Sequence, residues 1–194
     1  MSKKTETFSR TRIRSRENMI AAFERIFPEK PIEKISIKEI TDAAGYNRST
    51  FYLYFTDIYE LADAFEATVL EEVADVVGGV IERNAKLPLM ELIGLMAPAA
   101  SKHIHRIYLC SQLPGFPENF RTVLQPLFET ITGMDSSKPE HDFLLSLLST
   151  ILLHNITFLN NNGNEFSTEK AIRISRRLIA PGLMDLITDY KTEI

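Results

Sequence analysis

A chain of 194 residues and 22.1 kDa, 44% hydrophobic and 25% charged, has the composition of a folded globular protein and excludes a disordered or collagen-like one. Eight Gly and nine Pro are few for a turn-rich all-β protein, and a single cysteine, Cys110, excludes an intramolecular disulfide and a cysteine-built metal cage. The net charge of −4 hides a split: residues 1–16 carry Lys3, Lys4, Arg10, Arg12, Arg14 and Arg16 against Glu6, while the rest of the chain is acidic. A basic end on an acidic body suggests a polyanion as its partner, with a solvated, frayed terminus as the equal alternative. The N-terminal stretch lacks the apolar segment of a signal peptide. No apolar run approaches the roughly 18–20 residues of a membrane span, so a soluble cytoplasmic protein is expected.

Helical periodicity dominates, and no stretch alternates at period two. Ile13, Ile20, Phe23 and Phe27 stripe one face of a first helix that ends before Pro28, because the residue before proline is pushed out of the α region. Ser36-Ile37-Lys38-Glu39 is a capping box opening a helix of about eight residues, with Ile37, Ile40 and Ala44 on one face and Gly45 to close it. Asn47 caps the next short helix, whose Phe51 and Phe55 at i, i+4 give it a buried side. Asp57 with Glu60 caps a fourth helix, with the stripe Leu61, Phe65, Val69, Val73, Val76 running to Gly78-Gly79. Further helices are expected near 88–97, 100–112, 117–133, 140–161 and 168–190. Eleven of the seventeen residues 143–159 are apolar and lie nearly all round their helix, which must then be buried on more than one face, the second of them a possible subunit interface.

A capped helix, a glycine turn and a second short helix over 36–55 match a helix-turn-helix, in which the second helix enters the DNA major groove. A plain αα-hairpin is the competing reading. Arg48, Ser49, Thr50, Tyr52 and Leu53 fall on the exposed side, where Arg48 can fork onto guanine O6 and N7 and the hydroxyls can bond bases or phosphates.

The stretch Ala44-Gly45-Tyr46-Asn47-Arg48-Ser49-Thr50-Phe51-Tyr52-Leu53-Tyr54-Phe55 resembles the signature A-G-V-S-x-x-T-[LF]-Y-x-[HY]-F of the TetR family of transcriptional regulators. The resemblance covers about 13–73. It implies an all-α chain with a three-helix DNA-binding domain at 1–56 and a helical effector-binding and dimerisation domain at 57–194. It also implies that Lys38, Asn47, Arg48, Ser49, Thr50, Tyr52, Leu53 and Tyr54 face DNA. One position departs from the pattern: Ile58 stands where the family often has a phosphate-holding lysine. The segment 36–55 is itself net neutral, with Lys38 and Arg48 against Glu39 and Asp42, so non-specific affinity should be modest.

The remaining constellations are weaker. His103 and His105 lie about 200° apart round a helix and cannot share a metal, and His103 with Cys110 lacks a third ligand. Glu71, Glu72 and Asp75 read as a solvated face. His154 and Asn155, inside an apolar helix, need partners or point into a cavity. No enzyme motif, metal site or cofactor is indicated. The expected function is a homodimeric repressor of a palindromic operator, released by an apolar small molecule lodged beside Phe65, Tyr108, Phe120, His154 or Phe158. The resemblance implies that the last two long helices make a four-helix interface with the twin subunit. The alternative is a helical interaction protein, or a DNA-binding regulator controlled by a protein coregulator, with no small effector.

Overall fold

The computed structural model describes residues 3–84, 102–163, 165–171, 173–175, 177, 178, 181, 182 and 185. Every regular element among them is helical, in agreement with the all-α expectation. The helix expected at 88–97 lies outside the described residues, as does much of 168–190. The chain forms two compact units, Met1–Thr68 and Val69–Ile194.

In the first unit, α1 (Lys3–Ile26) packs on α2 (Ile37–Ala44), which leads through a turn to α3 (Arg48–Phe51). Two 3-10 turns, Phe27–Glu29 and Ile32–Lys34, carry the chain from α1 to α2. Met19, Phe23, Ile40, Phe51, Leu61 and Phe65 are fully enclosed, and removing each such side chain from water contributes about 1.5–3 kcal/mol. Phe23 holds the centre, stacked on Phe27 at 5.0 Å and tilted against Phe65 at 5.7 Å. Ile13 leaves the expected stripe. It shares the angular position of Ile20 but sits two turns nearer the N-terminus, beyond the packed part of α1, and is 56% exposed.

The fourth helix, α4 (Ile58–Asn84), begins in the first unit and ends in the second. Leu61, Phe65, Val69 and Val73 are buried as their spacing predicts. The helix does not stop at Gly78-Gly79 but runs through them, although each interior glycine costs about 0.5–1 kcal/mol relative to alanine. Gly79 leaves the space that a side chain would fill to Arg83, whose Nε donates to the Gly79 carbonyl at 2.8 Å. That bond stays within one helix, where spacing alone gave no sign of it.

In the second unit, α5 (Ile104–Cys110) and α6 (Phe116–Thr132) both pack on α7 (Pro139–Asn162). Ile107, Leu109, Phe116, Phe128 and Leu145 form the enclosed core. α6 accommodates Pro126 in its interior and closes at Gly133, which has φ +65°. Arg121 ties α6 to α7 by bonding both Glu118 and Asp142. Glu72 departs from the expected solvated face. It is half-buried, takes Arg106 on one carboxylate oxygen and lies 2.8 Å from His103 Nδ1 on the other, while Glu71 and Asp75 stay exposed.

α7 is long and apolar enough, by length and composition, to cross a membrane, with mean hydropathy 1.6 over its best 18 residues. Ser146, Ser149, Thr150, His154 and Asn155 interrupt its apolar residues, so no continuous apolar run marks it in the sequence. Those polar groups, and the packing on α5 and α6, make it a bundle helix. Its outer face is open: Phe143 is 66% exposed, and Leu147 and Phe158 are exposed with it. All the described positions between 168 and 185 are helical. Asn155 Nδ2 donates to Ser175 Oγ at 3.1 Å, which joins this segment to α7, and Ile174 and Leu178 are exposed on it.

Candidate nucleic-acid interface

The candidate interface is built by local punctuation. Ser36 Oγ accepts from the Glu39 N–H, and Glu39 Oε2 accepts from the Ser36 N–H at 2.9 Å, completing the expected capping box. Lys30 bonds the other Glu39 oxygen. With Lys30 first and Ser36 second as the causes, the Glu39 carboxyl is pulled down from its ordinary 4.5 to about 2. The charged form is therefore favoured by folding. Its contribution to stability is complete above about pH 4.5 and is lost as pH falls toward 2. We expect Glu39→Gln to be less stable than the parent at pH 7, with the gap closing through that acid range. Denaturant titrations at a series of pH values measure it, and a gap independent of pH would remove Glu39 from this role.

Gly45 ends α2 with φ +77°, a conformation open to glycine without strain. Tyr46 then turns back onto α1. Its hydroxyl accepts from Asn18 Nδ2 at 3.1 Å, and bonding to Ser15 and Asn18 holds the phenol below its ordinary range. Arg16 of α1 lies over the Phe55 ring, 5.7 Å from its centroid, and Arg25 donates to the Ala43 carbonyl. These three clamps join residues far apart in sequence and left no signal in spacing.

Asn47 caps α3, with its Oδ1 accepting from the Thr50 N–H at 2.8 Å. Phe51 is enclosed, with Tyr52 edge-on at 5.7 Å and Phe55 at 5.5 Å. The polar groups around this turn are open. Lys38, Arg48 and Ser49 are exposed, Tyr52 is exposed, and Leu53, an apolar side chain, is 70% exposed. Thr50 and Tyr54 are half-buried. Neither Lys38 nor Arg48 makes an ion pair with another described residue, so their charges stay available. Ile58, at the position of the family's lysine, is buried, and the N-terminus of α4 beside it is occupied internally. There Asp57 Oδ1 accepts from the Tyr59 and Glu60 N–H groups, and Glu60 Oε2 accepts from the Thr56 N–H. Two carboxylates at that helix start disfavour a phosphate there. The basic leader is helical from Lys3, with Arg12, Arg14 and Arg16 exposed.

The side chains named for an effector lie on four helices, Phe65 on α4, Tyr108 on α5, Phe120 on α6, and His154 and Phe158 on α7. Phe65 belongs to the core of the first unit. In the second unit Phe120 is buried in a stack on Phe116 at 5.6 Å, and Tyr108 is half-buried. His154 is exposed on α7, and Phe158 is exposed with its ring meeting Phe166 edge-on at 5.4 Å.

Residues 19–65 match the model of the family described as bacterial regulatory proteins, tetR family. That span runs from the buried part of α1 through the helix-turn-helix to Phe65, the same residues that form the first unit's core. No curated protein matches the chain. The match covers the helical DNA-binding domain of the tetR family of bacterial regulatory proteins, and it indicates a DNA-binding transcriptional regulator.

Proposed function

We propose that the protein is a cytoplasmic, homodimeric repressor that binds a (pseudo)palindromic operator and is released by a small, largely apolar effector. The observation that carries the DNA-reading part is the set of exposed groups on one side of α3, namely Arg48, Ser49, Tyr52 and Leu53, inside the matched span 19–65. A regulator head at about 1–56 and an effector and dimerisation core at 57–194 complete this reading. Lys38, Asn47, Thr50 and Tyr54 flank the contact surface, and the arginines of the leader supply phosphate contacts that Ile58 cannot.

Homodimerisation is supported by the open apolar face of α7 together with Ile174 and Leu178. Two copies would have to present their α3 helices roughly 34–36 Å apart to enter successive major grooves.

The test begins by selecting bound fragments from a random duplex library with the purified full chain. Arg48→Ala is then expected to weaken the selected operator by about 1–3 kcal/mol and relax base preference at one position per half-site. Tyr52→Phe should lower affinity for all sequences alike, because a phosphate contact fixes register without reading bases. An unchanged base profile for the Arg48 variant defeats the assignment.

A further inference from the structure

The hydrogen bonds inside the recognition turn determine which edges of DNA it can read. Asn47 Oδ1 accepts from the Thr50 backbone N–H at 2.8 Å, which identifies that end of the carboxamide as the oxygen. Ser49 Oγ lies 2.7 Å and Thr50 Oγ1 2.9 Å from the same oxygen. A carbonyl oxygen has no proton to give, so both hydroxyls are the donors. Each hydroxyl has one proton. With that proton committed to Asn47, what Ser49 and Thr50 offer outward is lone pairs only.

In the major groove, adenine N6 and cytosine N4 are the hydrogen-bond donors, whereas guanine N7 and O6, adenine N7 and thymine O4 are acceptors. A locked hydroxyl therefore matches an amine and meets guanine lone pair to lone pair. Leu53 stands two residues past the end of α3, apolar and 70% exposed. The thymine C5-methyl is the one apolar group on the major-groove edge. Among the base pairs, only A·T presents an amine and a methyl together; C·G presents the amine without the methyl. Asn47 itself cannot make the two-point contact to adenine, because the oxygen that contact requires is held in the cap.

We propose that the turn from Asn47 to Leu53 is wired to read an A·T base pair. Ser49, assisted by Thr50, accepts from the adenine N6 amine, Leu53 covers the thymine methyl, and Asn47 is the positioning residue that fixes the hydroxyls as acceptors. This rests on α3 reading DNA, and adds which base pair it selects. Arg48, with its fork of donors, takes the complementary task at guanine.

The experiment uses the full chain and the duplex it selects from a random library. In that duplex each adenine is replaced in turn by purine, which lacks only the amine, and each thymine by deoxyuridine, which lacks only the methyl. For the parent protein each deletion at one A·T pair per half-site is expected to weaken binding about two- to tenfold. Ser49→Ala should lose the sensitivity to purine and keep that to deoxyuridine, and Leu53→Ala the reverse. Both positions are exposed, and circular dichroism checks that the helices persist. Asn47→Ala releases the two protons and should raise binding of G·C relative to A·T at that pair. Asn47→Asp keeps the accepting oxygen and should keep the A·T preference at lower affinity. If the selected duplex responds to neither base analogue, or responds equally in parent and variants, the inference is overturned while DNA reading stands. If no sequence is selected, the proposed function fails first and this inference with it.

Discussion

Phe51→Ala should unfold the DNA-binding unit under conditions where the rest of the chain keeps its helices. Phe51 is fully enclosed and contacts the rings of Tyr52 and Phe55, so truncation leaves a cavity between α3 and its support. Phe→Ala changes in such sites cost about 3–5 kcal/mol, a large part of the roughly 5–15 kcal/mol that stabilises a typical domain. Denaturant titration with limited proteolysis measures the effect, with cleavage at Lys38 and Arg48 reporting opening of the head. A loss below about 1 kcal/mol would mean that α3 is held by its caps and clamps, and that the aromatic core is secondary.

The second large effect is expected on α7. If its open face receives a twin, Leu147→Glu places an unpaired carboxylate in the interface once from each copy, because a two-fold interface repeats every change. An uncompensated buried charge costs about 3–5 kcal/mol, enough to shift a micromolar dimer largely to monomer. Light scattering should then give 22.1 kDa for the variant and twice that for the parent. The same mass for both proteins would remove α7 from the interface. It would also direct attention to the exposed Ile174 and Leu178 of the final helical segment.

The head was legible in the sequence because its signals are local. Ser36 with Glu39, Gly45, Asn47, and Asp57 with Glu60 each act within four residues, and each makes the bond its type predicts. Boundaries that depend on distant partners were less legible. The spacing of Ile13 fits the stripe, but burial there needs a neighbour that α1 outreaches. Glu72 looked like one of three solvated acids until Arg106, 34 residues away, was brought to it. Among the DNA-facing residues, residue type and helical phase identified the exposed set. They could not show that Asn47 spends its oxygen on Ser49 and Thr50, or that Tyr54 is half withdrawn.

The division of labour within α3 also bears on how such a protein could change its target. Phe51 and Phe55 hold the fold and Asn47 holds the cap, whereas Arg48 and Leu53 project into solvent and, among the described residues, bond no backbone group through their side chains. Substitutions at exposed positions free of such duties usually alter stability by no more than about 0.5 kcal/mol. The base-reading positions Arg48 and Leu53 can therefore be rewritten by drift or by design, each new combination addressing a different promoter, while the scaffold that presents them is inherited unaltered.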